Sequence, residues 1–373
     1  MKKKINIILI VVLCGAFILM FSSGGKIHLL SVEDLGISVG IGTGIDKDGK
    51  GNIIYRVTST ANSYKNDSSV ETLLGMGLGS TIGKTREDRQ NKIGKEFFLG
   101  LTKIYIIDQE YAEFGIRDLI DVNFNNPVVN DNAFLVVCKG RNEEYFNFTT
   151  PGYDNSAEFM SDMIKNSPSY NFFKGSYMIK DAVLSLDAEG KNIASPYIEI
   201  MEDGIKINGM AVFNKDKLAV ILDMQNTRVM NMLRENRVKG ILTIQKDSEE
   251  YVNYQAVTKR KVTCKKTKDK YTFTIDLKLE GEIINNELYK DMSSNIVVTK
   301  KFENDMAKQV KKTCNEFLDK MKNEYKVDLL QLGWVAAAKY GRDTGVDWNE
   351  VVASSEIVVN VEVHVDKLGS GQY

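Results

Sequence analysis

Lys2, Lys3 and Lys4 stand directly before residues 5–21, a run in which only Asn6, Cys14 and Gly15 interrupt the larger apolar side chains. Wound into a helix, such a run is about 26 Å long, close to the ~30 Å of bilayer hydrocarbon. The lysines on the near side outnumber Lys26 on the far side, which favours a cytoplasmic N-terminus and export of everything that follows. The bulk of the chain is therefore expected to fold outside the cytoplasm, tied to a membrane by an uncleaved anchor within residues 1–25. Two other readings stay open. Val11, Val12, Leu13 and Cys14 loosely resemble a lipobox with Cys14 as the acylated residue, although Leu13 is bulky where a small side chain is wanted. A secretory signal cleaved near Ser22, Ser23 and Gly24 is the third.

The rest of the chain has the makings of more than one folded unit. At 373 residues it exceeds a typical domain, and 43% hydrophobic with 27% charged residues is ordinary globular composition. Basic and acidic side chains nearly cancel, leaving a net charge of −1. No overall field draws in a polyanion, which argues against nucleic acid as a partner. The cysteines Cys14, Cys138, Cys264 and Cys314 never form a CxxC pair, so neither a metal site nor a redox motif is expected. Cys138 and Cys314 read as small buried hydrophobes.

A break near residues 195–209 separates a unit at 26–204 from one at 205–373. In the first unit helices and strands alternate: a helix over 84–98, an apolar strand over 103–107 (KIYII), a helix over 109–122 and a strand over 133–137 (AFLVV). Strand, helix and strand with short links imply a βαβ unit and some parallel sheet. Further helices are expected over 156–165 and 177–186, with an earlier strand over 52–60. In the second unit, residues 209–213 and 217–222 flank a turn as a hairpin, and residues 271–280 and 357–365 alternate apolar with polar. That alternation marks strands with one wet face. Phe302, Met306, Val310, Cys314, Phe317, Met321 and Tyr325 recur at steps of three and four, a helical stripe that must bury itself. The expected class is α+β: a mixed helix and strand unit, then an antiparallel sheet covered by one long helix.

The search for chemistry comes back empty. The two histidines are His28, beside the apolar run, and His364, on the polar side of the last strand, and no HExxH or GxSxG occurs. No catalytic residue, metal or cofactor is expected. The stretch GMGLGSTIGKT at 75–85 looks like a phosphate loop, but Leu78 stands where the first glycine is required. It reads as a structural turn feeding a helix. Gly40, Gly42 and Gly44 are spaced for a strand bend or bulge and not for a dinucleotide turn. The basic stretch from Lys259 to Lys270 reads as protection of an exposed edge strand or hairpin, with contact to anionic headgroups as the alternative. Aromatic clusters at Tyr145, Phe146 and Phe148, and at Tyr170, Phe172, Phe173 and Tyr177, read as core before partner anchors.

The order of segments carries a further signal. The stretch at 79–122, with Phe97 and Phe98 before KIYII and with Ala112, Phe114, Gly115 and Ile116 in EYAEFGIRD, resembles the N-terminal domain of GerAC-type C subunits of bacterial spore germinant receptors. INGMAVFNKDKLAVILDMQNTRVMNML at 207–233 resembles that family's Gly-x-Ala-Val-Phe strand, lysine-bearing turn and helix. DLLQLGWVAAAKYG near the C-terminus resembles its Asp-x-Leu-x-Leu-Gly segment. Family members carry a lipobox cysteine shortly before the mature domain; here Ser22, Ser23, Gly24 and Gly25 stand there, which favours the transmembrane reading. The resemblance implies a non-enzymatic subunit that assembles with A and B subunits on the outer face of the spore inner membrane, where the complex senses small nutrient germinants. A tethered solute-binding protein is the alternative, and a surface hydrolase a more distant one.

Overall fold

A strand that is apolar at every position must be covered on both faces. KIYII and AFLVV meet that condition in the computed structural model, which describes Gly15 and residues 31–368 except 66, 68, 269, 343 and 344. Apart from Gly15, the N-terminal apolar run, Cys14 and His28 lie outside the described residues. Among the described residues no helix is long and apolar enough to cross a membrane.

The chain begins with β1 (Leu35–Lys47), β2 (Ile53–Tyr64) and β3 (Val70–Gly79), followed by α1 (Ile82–Gln90), β4 (Glu96–Phe98) and β5 (Ile104–Asp108). Next come α2 (Gln109–Phe114), α3 (Arg117–Phe124), β6 (Phe134–Cys138), α4 (Asn142–Phe146), α5 (Ser156–Asn166) and α6 (Ile179–Leu186). The strands β7 (Ala194–Met201), β8 (Gly204–Asn214) and β9 (Lys217–Asp223) lead into α7 (Met224–Arg234). Three strands, β10 (Lys239–Gln245), β11 (Tyr251–Thr267) and β12 (Lys270–Asn286), precede the long α8 (Ile296–Lys320) and a π-helical turn at Met321–Tyr325. Two short helices, α9 (Leu332–Tyr340) and α10 (Trp348–Ser354), then lead to β13 (Glu356–Lys367).

The first sheet has nine strands in the order β3-β2-β1-β5-β6-β7-β8-β9, with β4 also paired to β1. Its middle, β1-β5-β6-β7, is parallel and both of its wings are antiparallel. Tyr105, Ile107, Leu135 and Val137 point to one face, where α2, α3 and α6 bury Tyr111, Leu119, Ile120 and Ile179. Ile104, Ile106, Val136 and Cys138 point to the other, under Tyr145 and Phe146 of α4 and Met160 and Ile164 of α5. The expected βαβ unit is therefore β5-α2-α3-β6, with parallel neighbours joined by a helical crossover. Strands β8 and β9, which follow the break expected near 195–209, are hydrogen-bonded into this first sheet.

The second sheet runs β10-β11-β12-β13. Phe273, Ile275, Leu277 and Leu279 of β12 are buried against Phe302, Met306, Val310, Cys314 and Phe317 of α8, as both periodicities require. The mixed α+β class stands, with one correction: β13 lies parallel to β12, so only three of the four strands are antiparallel. The cause is α8, which with α9 and α10 forms a crossover that returns the chain to the start of the sheet before β13 begins.

Two other expectations change. The helix foreseen over 84–98 stops at Gln90, and Phe97 and Phe98 belong to a short strand beside Gly36 and Ile37. The helix over 109–122 is two helices, because Gly115 takes a φ of 135° that ends the first. The basic stretch at 259–270 is the far end of the β11–β12 hairpin, as expected: Thr267 pairs with Lys270, and β10 pairs with β11 only as far as Val257. Beyond Thr258, where β10 no longer pairs with it, α9 covers it: Lys339 Nζ and Tyr340 Oη both donate to the Cys264 carbonyl, at 2.7 and 3.2 Å.

Candidate functional site

The glycine-rich stretch is half strand and half helix start. Gly75, Gly77 and Gly79 lie on one face of β3, and a Cβ on Gly77 would collide with the Thr85 carbonyl oxygen. Thr81 caps α1 by accepting from the Lys84 amide at 3.2 Å, and Asp88 accepts from the Leu78 amide at 2.8 Å. The glycines thus let a helix lie almost in contact with a strand. No phosphate cradle forms; the stretch positions a helix.

What α1 presents beneath it is unusual. Ile82, Thr85 and Arg89 face inward, and Thr85 and Arg89 are buried at 1% and 7% exposure. They form one wall of a cleft of about 500 Å³. Tyr105 of β5 and Thr43 of β1 line it from the sheet, and Leu119, Val122 and Asn123 of α3 line it from across. Asn125, Asn126 and Pro127 continue the far side. Tyr105 is 2% exposed, and its hydroxyl has no hydrogen-bond partner among the described residues. Arg89 Nη1 is likewise buried without one. No ion pair reaches Arg89 among the described residues; its guanidinium lies 5.7 Å from the centre of the Phe97 ring. Burial, with the neighbouring Arg86 charge, pulls its pKa down to about 10, which leaves it cationic at neutral pH. Burial pushes the Tyr105 phenol upward, so it stays a neutral donor.

On the opposite face, Arg56 forms ion pairs with Asp46 at 2.6 Å and with Asp108 and Glu143. Asp108 also accepts from the Asn142 amide at 2.8 Å and its side-chain nitrogen at 2.6 Å. Gly42 and Gly44 of β1 leave room for Asn142 and Asp108, and the strand carries its register shift between Ser38 and Gly40. The network is internally paired and binds β1, β2, β5 and α4 together.

The recognisable segments meet one another. The Ile116 amide donates to the Asp216 carbonyl at 2.9 Å, so the Ala-x-x-Gly-Ile element docks on the lysine-bearing turn after β8. Asp328 accepts from the amides of Leu330 at 3.0 Å and Gly333 at 2.7 Å, which fastens the start of α9. Residues 30–200 match the N-terminal domain of spore germination proteins, and residues 208–369 match the C-terminal domain described as spore germination B3/GerAC like. The chain belongs to the GerAC-type family of germinant receptor C subunits. A relative described as spore germination protein GerQC, from Bacillus cereus, is 20% identical over 323 residues, which cover 84% of this chain and 87% of the relative. A crystal structure of the GerBC protein matches with a TM-score of 0.55 at 14% identity, covering 87% of this chain and 97% of that one. That likeness is one of fold.

In this GerAC-type chain the other singled-out residues have structural settings. His364 on β13 is half-exposed between Glu303, 3.3 Å away, and Asp366, 3.6 Å away. Tyr145, Phe146, Phe172, Phe173 and Tyr177 are buried core, while Tyr170 is exposed. Cys138, Cys264 and Cys314 are buried and unpaired. Lys259 pairs with Glu280, and Lys278 bridges Glu280 and Glu362 at 3.0 and 3.6 Å on the wet face of the second sheet. Sequence reasoning did not find the Arg89 cleft. Its one signal was the spacing of Ile82, Thr85 and Arg89, three and then four residues apart.

Proposed function

We propose that the chain is the tethered C subunit of a nutrient-sensing germinant receptor, carried on the outer face of the spore inner membrane and assembled with A and B subunits. The observation that carries this reading is the succession of the two germination-protein domains along the chain, in family order. The lysine-flanked apolar run at the N-terminus supports the tether. The role is mechanical and not catalytic: helices cover both faces of the middle of the first sheet and one face of the second, and the buried Arg56 and Arg234 are held in internal networks. Such a body offers a rigid surface against which membrane-embedded subunits can be held.

Deletion of the gene in a spore former without a redundant paralogue should abolish or blunt the response to one class of nutrient. Affinity capture of the tagged full chain from spore membranes should bring down an A and a B subunit. Normal germination in every nutrient, together with capture of neither subunit, would overturn the proposal.

A further inference from the structure

A buried arginine is expensive to leave unpaired. Its desolvation is offset only when a carboxylate or a set of carbonyls receives its donors. The other two nearly fully buried arginines follow the rule, while the partly buried Arg260, whose Nε also lacks a partner, donates to the Leu330 carbonyl at 3.0 Å. Arg56 has three carboxylates. Arg234 donates to the Leu329 carbonyl at 2.9 Å and the Asn192 carbonyl at 2.7 Å. Arg89 has neither, although it is as buried as Arg234.

The empty partner position coincides with empty space. Arg89 and the unpartnered Tyr105 hydroxyl line the same cleft of about 500 Å³, within the size of small-molecule sites. Arg86 also lines it, and no aspartate or glutamate does. Thr43, Thr85, Asn123, Asn125 and Asn126 add uncharged polar groups, so the lining is net positive. Ile41, Val57, Leu99, Leu119, Val122 and Val129 supply the remainder as apolar surface. A molecule complementary to this lining has one anionic end that accepts from a guanidinium and a phenol, and an aliphatic body.

We infer that the cleft between α1, α3 and the first sheet binds a small organic carboxylate, with Arg89 receiving the carboxylate and the Tyr105 hydroxyl donating to it. A planar guanidinium favours a carboxylate through two parallel N–H···O bonds. The apolar lining selects for a hydrocarbon tail, which a bare phosphate lacks. The site lies within the first sheet and holds whether or not the chain assembles with other subunits.

The test is calorimetric titration of the purified full chain in detergent with hexanoate, L-leucine, hexanamide and inorganic phosphate. Saturable binding of hexanoate or leucine is expected, with the uncharged amide and phosphate at least about tenfold weaker. Arg89→Met should weaken carboxylate binding by at least tenfold, and Tyr105→Phe by roughly threefold to tenfold. A thermal melt of the ligand-free variants separates binding from structure. Because the free arginine lacks a partner, Arg89→Met should hold or raise the melting temperature while it removes binding. A lowered melting temperature for Arg89→Met with carboxylate binding unchanged in Tyr105→Phe would assign both side chains to the scaffold and overturn the proposal. So would equal binding of hexanoate and hexanamide, phosphate binding tighter than either carboxylate, or no saturable carboxylate binding in the millimolar range.

Discussion

At the scale of single residues, the chain places its charges where neighbours decide what they do. Asp108 is 3% exposed, and burial pushes its carboxyl from the ordinary 3.8 up to about 6, against the opposing pull of Asn142 and Arg56. A carboxyl with a raised folded-state pKa holds its proton more tightly in the fold than in the unfolded chain. Its contribution to stability is then complete below about pH 4 and is lost as pH climbs through about 6. The stability of the native protein relative to Asp108→Asn should accordingly fall by about 1–3 kcal/mol between about pH 4 and about pH 7. Urea unfolding of the two proteins across that range measures it, and a difference that stays flat or grows with pH would refute the assignment. None of this was legible beforehand. Asp108 reads as the polar end of KIYIID, and nothing local announces Arg56 or Asn142 as its partners, because those contacts join positions far apart in sequence. Arg89 was hidden for a related reason: one arginine on a short, mostly polar helix looks like solvent-facing surface until the helix is seen lying on a strand.

At the scale of elements, periodicity served well where one face is buried and poorly where backbone meets backbone. The stripe from Phe302 to Tyr325 and the alternation in β12 and β13 came through, since each records a single buried face. β3 was missed, and β1 was read only as a strand bend or bulge at Gly40, Gly42 and Gly44, because their glycines, which make weak strand formers, stand where helices press close. Gly77→Ala tests that account. Its new methyl meets the Thr85 carbonyl of α1, part of a helix backbone with little freedom to yield. A loss of about 1–3 kcal/mol is expected, read as a lowered melting temperature. A fully stable Gly77→Ala would mean that α1 rides more loosely on β3 than the packing implies. The parallel placement of β13 was illegible for a different reason: alternation fixes which face of a strand is wet, and says nothing about its direction.

At the scale of the whole molecule, the two sheets are joined by a compact polar hub. Asn192 donates to the Asp328 carbonyl at 3.0 Å and to Asn349 at 2.7 Å, while Arg234 reaches back to the Asn192 carbonyl. The Trp334 amide donates to the carbonyl of Gly190, whose φ of 70° suits glycine and whose missing Cβ lets Gly333 approach. The segment DLLQLG was legible as a family feature, and its physical work is to pin α9 at this hub. Asp328→Ala strands the buried amides of Leu330 and Gly333 and should cost about 2–4 kcal/mol. Limited proteolysis should then cut first near residues 326–334; a digestion pattern identical to that of the native protein would show that the hub is held by other contacts. The course of β8 and β9 has a consequence for the gene itself. By sequence they fall with the trailing family domain, yet by hydrogen bonding they finish the leading sheet. The leading half of the reading frame, taken alone, does not encode a completed sheet. Severed after residue 204, the front piece would show a raw selvedge along β7 and the rear piece a ribbon in search of it, so fragments made separately should clump alone and knit into one particle when mixed.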